Sequence, residues 1–399
     1  MFTRRFFLRA SAVAMAGVGV APSWLVRAAA AGGKRRKILV AIFQRGAADG
    51  LNVVVPFFEK LYYELRPTIA VQPPGKSNGA IDLDGRFALH PSLRPLKSLW
   101  DSGQLAIVEA TGSPDPTRSH FDAQDFMESG TPGRLSADGW LNRALPPAES
   151  VPSPLRAIAI GTQLPRTLRG SRAAVAVSNL AQFQVRNQNA GILESMYATT
   201  ADAKLMASGK ETFEAVRMIE SIGRAPYTPA NGAQYLGDFG RNLQQVARLI
   251  KADVGVEAAF ADIGGWDHHS NEGPQLTNLL QQFGTSLAAF AVDLGDRMED
   301  IVLVTMSEFG RTVKEDGNNG TDHGHGNVMM VLGGPVRGGT VYGRWPGLEP
   351  EQLFERRDLA VATDFRDVLG ELVNGHLGQK IDQVFPGYKP GGTLGLLRA

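Results

Sequence analysis

The stretch Lys37-Ile-Leu-Val-Ala-Ile-Phe43, followed by the polar segment Gln44-Arg-Gly-Ala-Ala-Asp-Gly-Leu-Asn52, shows the pattern from which the fold is predicted. The first part is a short, nearly continuous apolar run, typical of a strand buried on both faces. Similar runs occur at 104–110, 157–160, 256–263, 301–306 and 328–332. Segments 235–252 and 276–294 carry apolar residues every three or four positions, which indicates amphipathic helices. This alternation predicts an α/β fold, a three-layer α/β/α sandwich with a mostly parallel central sheet.

Polar clusters follow four of the predicted strands, and another precedes the run at 328–332. They are Gln44–Asn52, Thr117–Gln124, Gly264–Asn271, Ser307–Thr312 and the loop around Asp322. Loops that leave the carboxyl ends of parallel strands gather at one edge of a sheet, where ligands bind. Five of the seven histidines lie in these clusters. We therefore expect one functional site at this edge, and we expect His376, in the C-terminal helical segment, to be a surface residue.

Composition excludes several classes of protein. The 399 residues carry 41 Lys and Arg against 40 Asp and Glu, a net charge of +1, which argues against nucleic-acid binding. The 43% hydrophobic content suits a globular protein with a sizeable core. Cysteine is absent, so disulfides, thiolate metal sites and cysteine nucleophiles are excluded together. Oxygen and imidazole groups remain as the available metal ligands.

The N-terminal sequence Thr3-Arg-Arg-Phe-Phe-Leu-Arg-Ala10 resembles the twin-arginine export signal, with Arg4 and Arg5 as the pair. A mildly apolar segment follows, too short to span a bilayer, and Ala28-Ala29-Ala30-Ala31 offers small residues for cleavage.

The sequence therefore predicts a signal peptide over 1–31 and a single domain over 32–399. The mature chain is expected in the periplasm or otherwise exported, without a stable membrane span. Its predicted partner during export is the twin-arginine translocase, which carries proteins that are already folded.

The clusters also predict a metal site. Asp267 and His269 are two positions apart, as are His323 and His325, and residues with this spacing share one face of an extended segment. Carboxylates with imidazoles suit one or two ions of zinc, manganese, magnesium or calcium, and spacing does not choose among them. Taken singly, each residue also has a structural explanation, as a helix cap, a turn or a hydrogen-bonded polar side chain.

Six motifs together carry a resemblance to a known family. They are Gly-Ala-Ala-Asp-Gly-Leu-Asn, Arg-Ser-His-Phe-Asp-Ala-Gln, Gly-Gly-Trp-Asp-His-His, Ser-Glu-Phe-Gly-Arg-Thr, Thr-Asp-His-Gly and Thr363-Asp-Phe-Arg-Asp-Val368. Their order resembles that in the bacterial family called domain of unknown function 1501. That family is similar in fold to the alkaline phosphatase and sulfatase superfamily, whose members hold two metal ions at the carboxyl edge of a parallel sheet.

The resemblance implies roles for individual residues. Asp49 would be the first carboxylate ligand, and Ser119 the nucleophile at a helix N-terminus, where it is equally well explained as an N-cap. Arg118 or Arg311 would neutralise the anionic substrate. The implied metal ligands are Asp49, Asp267, His268 or His269, Glu308, and His323 or His325. Asp322 would be either a direct ligand or the outer carboxylate that fixes the imidazole tautomer. We expect the glycines at 320, 324 and 326 to let the loop turn tightly.

The chain also departs from the superfamily pattern. Glu308-Phe309 stands where phosphatases and sulfatases usually carry adjacent Asp and His, which puts one metal site in doubt. Pro114-Asp-Pro-Thr-Arg118 has proline in the reactive position of the sulfatase motif, which disfavours formylglycine chemistry. The sequence therefore leaves two functions to be expected. The first is an exported metal-dependent hydrolase of small anionic phosphate or sulfate esters. The second is a non-catalytic binding or assembly protein that keeps the fold and part of the metal site.

Overall fold

The computed structural model of the protein describes residues 35–134, 136–147, 153–180, 198–200 and 203–398. The predicted signal peptide lies outside these residues, so its prediction stays open, as does the prediction of a single domain. Among the helices that are described, none is long and apolar enough to cross a membrane.

Within the described residues the strands are β1 (Ile38–Gln44), β2 (Val54–Val55), β3 (Ile81–Asp82), β4 (Ala88–Leu89), β5 (Leu105–Gly112), β6 (Ala157–Ile160), β7 (Val175–Val177), β8 (Ala258–Ile263), β9 (Ile301–Ser307), β10 (Asn327–Gly333), β11 (Thr340–Tyr342) and β12 (Thr363–Asp364). The helices are α1 (Gly50–Val53), α2 (Lys60–Leu65), α3 (Lys97–Asp101), α4 (His120–Ser129), α5 (Trp140–Arg143), α6 (Ala203–Arg224), α7 (Gly237–Lys251), α8 (Glu272–Leu294), α9 (Phe365–Gly375) and α10 (Ile381–Val384). Short 3₁₀ segments lie at Pro91–Leu96, Arg166–Leu168, Ala230–Gly232 and Gly295–Asp300.

The central sheet has nine strands in the order β11-β5-β10-β9-β1-β8-β6-β7, with β12 also paired to β5. All of its pairings are parallel except those of β10, which runs antiparallel to β5 and to β9. A small antiparallel sheet, β2-β4-β3, stands apart from it.

Alternate residues of β1 enter different cores, which explains its continuous apolar run. Ile38, Val40 and Ile42 pack with residues of α7 and α8 on one face. Leu39, Ala41 and Phe43 pack with residues of α5, α9 and α10 on the other face. Helices therefore cover both faces of the sheet. The predicted three-layer α/β/α sandwich with a mostly parallel sheet is confirmed.

The direction of β10 decides which loop reaches the functional edge. Because β10 is antiparallel to its neighbours, its first residue, Asn327, pairs with Thr111 near the carboxyl end of β5. The loop before β10 therefore joins the loops that follow β1, β5, β8 and β9. This is why the residues around Asp322 share an edge with the other polar clusters although they precede their strand.

The prediction for His376 was wrong. The residue follows α9 directly and is buried, and its Nε2 lies 3.1 Å from the carbonyl oxygen of Ile38 in β1. Burial lowers the pKa of His376 to about 4, so the ring is neutral and donates Nε2–H to that carbonyl. This hydrogen bond links the end of α9 to β1.

Candidate metal centre

Four side chains from three separate loops converge at the carboxyl edge of the sheet: His120, Asp267, His269 and His323. The Nε2 atom of His323 lies 3.0 Å from Nε2 of His120 and 3.0 Å from Nε2 of His269. Asp267 Oδ1 lies 2.9 Å from His269 Nε2 and 3.2 Å from His323 Nε2, and Asp267 Oδ2 lies 3.5 Å from His120 Nε2. His120, Asp267 and His323 thus lie within 4.8 Å of one another, close enough to hold a metal ion, and His269 adjoins them through His323 and Asp267.

His120 reaches the cluster because it is the first residue of α4. The preceding residue, Ser119, has extended dihedrals and its hydroxyl accepts a hydrogen bond from the Asp122 N–H at 3.5 Å, so it is the N-cap of the helix. Gly130 ends the helix in the left-handed conformation at φ 70°. The helix start therefore fixes the point from which the imidazole projects.

His323 is held by a backbone bridge to the segment after β9. Arg311 and His323 form an isolated antiparallel bridge, and Gly324 N–H donates to Gly310 O at 2.8 Å. A Cβ on Gly324 would lie 2.4 Å from the carbonyl carbon of Arg311. Gly320, Gly324 and Gly326 all have ordinary dihedrals, so they do not serve as left-handed turn residues. They let another backbone segment approach closely instead.

Asp267 and His269 follow β8 in a loop anchored by Trp266. The Trp266 ring is fully buried, and its Nε1–H donates to the Ile263 carbonyl at 2.9 Å. The loop packs tightly against Gly46, where φ is +117° and a Cβ would lie 2.8 Å from Asp267 N. Only glycine suits that position, which explains the glycine directly after β1 and Arg45.

The outer nitrogens of two histidines face groups that only accept hydrogen bonds. His120 Nδ1 lies 2.8 Å from Glu308 Oε1, and His323 Nδ1 lies 3.0 Å from the Arg118 carbonyl oxygen. Each neutral ring therefore carries its hydrogen on Nδ1, and the two Nε2 lone pairs face each other across 3.0 Å. Two acceptors at this distance repel each other unless a proton or a metal ion lies between them, and the raised pKa of His120 favours a positive charge at this place.

The donor set fits a metal ion of the kind that binds imidazole. Tetrahedral ligands at about 2.1 Å from an ion are roughly 3.4 Å apart, and the observed separations of 2.9 to 3.5 Å are close to this value. The Nδ1–H groups of His120 and His323 donate to a carboxylate and a carbonyl, the usual outer partners of metal-binding histidine. Asp267 and His269 each expose 45% of the side chain, so one side of the cluster faces solvent.

The charges around the cluster keep its acid ionised. Burial alone would raise the pKa of Asp267, but Arg311 and the neighbouring imidazoles outweigh it and lower that pKa below the ordinary value. Arg311 NH1 lies 3.0 Å from Asp267 Oδ1. The hydrogen bond to Glu308 raises the pKa of His120, whereas burial lowers the pKa of His323. A carboxylate and neutral imidazoles are the protonation states that metals bind.

Glu308 stands behind the cluster. It is fully buried, and its Oε1 accepts hydrogen bonds from Gly46 N at 2.8 Å and Gln124 Nε2 at 2.9 Å besides its contact with His120. This carboxylate orients an imidazole from the outer side, which differs from the ligand role that the sequence suggested.

Asp49 is bound to an arginine in the interior. Arg66 donates NH1 to Asp49 Oδ2 at 2.5 Å and NH2 to Asp49 Oδ1 at 3.0 Å, and both side chains are buried. Burial would raise the pKa of Asp49, but Arg66 holds it below the ordinary value. Burial and the neighbouring Asp49 raise the pKa of Glu272 well above its ordinary value. Both oxygens that Asp49 would offer a metal are therefore engaged.

The other residues predicted as ligands lie around the cluster. Asp322 Oδ2 pairs with Arg357 NH2 at 2.8 Å, and its Oδ1 lies 3.9 Å from His269 Nδ1. Asp322, His269 and His323 form a second group of donors that could hold a metal ion. His325 is buried and stacks on Phe354 with centroids 4.3 Å apart, and burial lowers its pKa to about 4.

His268 is turned inward, unlike its neighbour His269. The residue is buried, which lowers its pKa. The structure thus brings His269 and His323 to the cluster, rather than His268 and His325.

Arg118 and Arg311, predicted to bind substrate, are both engaged with carboxylates. Arg118 NH2 lies 2.5 Å from Asp358 Oδ2 and 2.7 Å from Glu355 Oε2. Arg311 is fully buried and holds Asp267. Their observed contacts position the loops of the metal centre.

His120 is not among the ligands predicted from the sequence, although it lies in the motif Arg-Ser-His-Phe-Asp-Ala-Gln, directly after the predicted nucleophile Ser119. The available signal was that His120 opens a helix directly after a strand, as expected for a residue at the functional edge. Gln124, one turn further on, also belongs to the site through its hydrogen bond to Glu308.

Known structures resemble the fold at a distance. The PsFucS1 sulfatase from Pseudoalteromonas sp. matches at 11% identity over 95% of this chain and 78% of that chain, with a TM-score of 0.36. The alkaline phosphatase from the Antarctic bacterium TAB5 matches at 11% over 76% and 93%, with a TM-score of 0.30. A phosphonate monoester hydrolase of Agrobacterium radiobacter matches at 11% over 90% and 79%, with a TM-score of 0.30. These values transfer no residue role.

No curated protein matches the chain. The family comparison, in contrast, covers most of it, from residue 36 to residue 382. The matching family is described as "Protein of unknown function (DUF1501)", and the chain belongs to that family.

Proposed function

We propose that the protein is an exported hydrolase of phosphate or sulfate esters that uses one divalent metal ion, held by three ligands from among His120, Asp267, His269 and His323, with a fourth position open to water. The observation that carries the proposal is the 3.0 Å contact between the Nε2 atoms of His120 and His323, whose outer nitrogens both face acceptors. A cation between them removes the repulsion of the two lone pairs.

Three imidazoles and a carboxylate favour zinc over magnesium or calcium, which prefer all-oxygen ligands. Manganese is second, since it accepts both donor types. The carboxylates expected to hold a second ion, Asp49 and Glu308, are bound by Arg66 and His120. One ion therefore accounts for the donors that converge.

A divalent ion in such a site supplies Lewis acidity toward an ester oxygen and lowers the pKa of a water molecule. The residues of the chain guide the anionic ester toward the metal ion and orient the metal ligands. Because α4 begins at His120, an anionic ester reaches the positive end of a ten-residue helix beside the metal centre. Asp267 stays ionised, and Arg311 fixes the direction of its carboxylate.

Water is the proposed nucleophile, with Ser119 as a positioning residue. The Ser119 hydroxyl caps α4 and so holds His120 in place. Arg118 contributes through its backbone carbonyl, which binds His323, and its guanidinium is neutralised by Asp358 and Glu355.

A second function is supported by the same four donors. Four protein ligands complete a tetrahedral ion without water, which is the arrangement of structural zinc sites. The protein would then be a binding or assembly protein whose metal ties the loops after β5 and β8 to the loop before β10.

The experiment is metal analysis of the purified, exported protein, coupled to hydrolysis of 4-nitrophenyl phosphate and 4-nitrophenyl sulfate. We expect about one zinc ion per chain, with hydrolysis lost on chelation and restored by zinc. Bound metal without hydrolysis of either ester would favour the second function. A protein that binds neither zinc nor manganese would overturn both. For export we propose the twin-arginine route, on the strength of Arg4 and Arg5.

A further inference from the structure

A cavity of about 420 Å³ opens at the same edge of the sheet as the metal centre. Its walls come from α4, from the segment 161–169 after β6, and from the end of β8 with Arg45. The carboxyl ends of β6 and β8 point the same way as that of β1, because these strands are parallel. The volume falls within the range of small-molecule sites, about 300 to 1,000 Å³.

The cavity has no net charge. Its ionisable lining residues are Arg45, Arg166, Arg169, Asp125, Glu128 and Asp262. Arg45 pairs with Asp262 at 2.7 Å and with Glu128 at 2.9 Å. Arg166 pairs with Asp125 at 2.8 Å. The three carboxylates are paired with Arg45 and Arg166, whereas Arg169 is exposed and donates its Nε–H to the Leu164 carbonyl at 3.0 Å. A strongly charged ligand would therefore meet groups of both signs, and at Arg45 and Arg166 it would have to displace an existing partner.

The lining offers both donors and acceptors to a neutral ligand. The carboxylates of Asp262 and Asp125 are partly exposed and accept hydrogen bonds. Thr162 and Gln163 are exposed in the wall and can both donate and accept. Hydroxyl groups also donate and accept, so a ligand with several hydroxyls matches this lining better than an apolar or an ionic one.

An exposed aromatic ring lies on the same face of α4 as two of the residues that line the cavity. Phe121, Asp125 and Glu128 are spaced i, i+4 and i+7 on α4, so they share one face of the helix. Phe121 is 88% exposed. His120 and Gln124 form the adjacent stripe, which contacts Glu308. The cavity wall and the metal ligand are therefore neighbouring faces of one helix.

A chain of hydrogen bonds joins the two places. Arg45 NH1 donates to Gln124 Oε1 at 3.0 Å, Gln124 Nε2 donates to Glu308 Oε1 at 2.9 Å, and that oxygen lies 2.8 Å from His120 Nδ1. The position of Arg45 in the cavity is thus coupled to the orientation of a metal ligand.

We infer that this cavity, together with the face of Phe121, binds a neutral group with several hydroxyls, such as a pyranose ring, and is the leaving-group subsite of the enzyme. The role of the cavity as a leaving-group subsite rests on the proposed function. The binding of a hydroxylated group by the cavity does not depend on that function. The substrate class that follows is a sugar phosphate or sugar sulfate.

Binding is tested by saturation-transfer NMR on the metal-loaded protein with lactose, cellobiose and maltose as probes. We expect saturable binding of at least one disaccharide. The blocking variant is Gly161→Trp, because Gly161 lines the cavity, has an ordinary φ, and would place a Cβ with only the Gln163 carbonyl nearby, at 3.9 Å. The matched control is Gly392→Trp, an exposed glycine with nothing within 4 Å of its Cβ position.

Gly161→Trp should weaken disaccharide binding at least tenfold, and Phe121→Ala should weaken it severalfold, whereas Gly392→Trp should bind like the wild type. Binding of none of the three probes, or equal binding by Gly161→Trp and the wild type, overturns the inference. Unchanged binding by Phe121→Ala overturns the part assigned to that ring. Failure to hydrolyse 4-nitrophenyl esters is a separate result, which bears on the proposed function alone.

Discussion

His120 and His323 are 203 positions apart in the chain, and their Nε2 atoms lie 3.0 Å apart. One imidazole opens the helix after β5, and the other precedes the antiparallel strand β10. Their outer nitrogens are fixed by Glu308 and by the Arg118 carbonyl, so neither ring is free to turn its lone pair away. The contact between the two rings therefore depends on Glu308 and on the Arg118 carbonyl, which are not ligands themselves. Substitutions at such outer residues can be tested separately from substitutions of the ligands.

Glu308→Gln should weaken metal binding without abolishing it. The amide oxygen can still accept from His120 Nδ1–H, but the negative charge that strengthens the imidazole as a ligand is lost, and such outer changes typically cost about 10- to 100-fold in affinity. Competition with a chromophoric chelator measures the effect. Glu299→Gln, at an exposed acid, is the control and should bind like the wild type. Complete loss of metal in Glu308→Gln would instead support the direct ligand role predicted from sequence.

Arg66→Met should destabilise the fold by about 3 to 5 kcal/mol, because it leaves the buried carboxylate of Asp49 without its partner. The double variant with Asp49→Asn should recover part of this loss, since the unpaired charge is removed. Urea denaturation measures both. Asp49→Asn alone should keep its bound metal. If Asp49→Asn loses metal while remaining folded, Asp49 is a ligand after all.

His376 should make the fold more stable at neutral than at acidic pH. Burial lowers the pKa of His376 from 6.5 to about 4 in the folded state. Below pH 6.5 the unfolded chain therefore binds a proton that the folded chain does not, so this contribution is complete above pH 6.5 and is lost as the pH falls toward 4. The loss amounts to about 2.5 kcal/mol at pH 4.5.

His376→Gln provides the comparison for this pH effect. The variant keeps a donor for the Ile38 carbonyl but cannot titrate. Its free energy of unfolding in urea should fall less than that of the wild type between pH 7 and pH 4.5. Parallel declines in the two proteins would show that His376 does not contribute.

Much of the fold follows from local sequence, because doubly buried strands and amphipathic helices leave periodic patterns. The runs at 38–44 and 301–307 and the helix over 272–294 are where the patterns place them, within a few residues. The direction of β10 could not be predicted, since an apolar run looks the same in either direction. That direction is what brings the loop of His323 to the functional edge.

Parts of the candidate site depend on contacts that no local pattern reveals. Asp49 has the sequence context of a ligand, and only the fold brings Arg66 against both of its oxygens. His376 was expected at the surface, yet it is buried and forms a hydrogen bond with the Ile38 carbonyl in β1. The family resemblance is confirmed by the match over 36–382, but a family without a known activity supplies no residue roles.

Replacing both Arg4 and Arg5 with Lys should keep the precursor in the cytoplasm. Lysine retains the charge but lacks the planar guanidinium fork, so a receptor that reads the arginine pair no longer recognises the signal. Cell fractionation with immunoblotting measures the distribution. Lysine substitution of Arg35 and Arg36, which lie beyond the predicted signal peptide, is the matched control and should not change export. Normal export of the first variant would exclude this route.

His323→Ala should remove the metal while leaving the chain folded. His323 is the residue that lies within about 3 Å of His120, His269 and Asp267 at once, so its loss leaves the remaining donors without their common neighbour. Its side chain is about one-fifth exposed and lies in a loop, so little core packing is lost. Metal content by plasma mass spectrometry should fall from about one ion per chain to near zero, with any esterase activity falling in parallel. His325→Ala should instead keep its metal and lose stability, because His325 is buried against Phe354. If His325→Ala lost its metal and His323→Ala kept it, the ligand would be His325, and the loop before β10 would differ from the one in this structure.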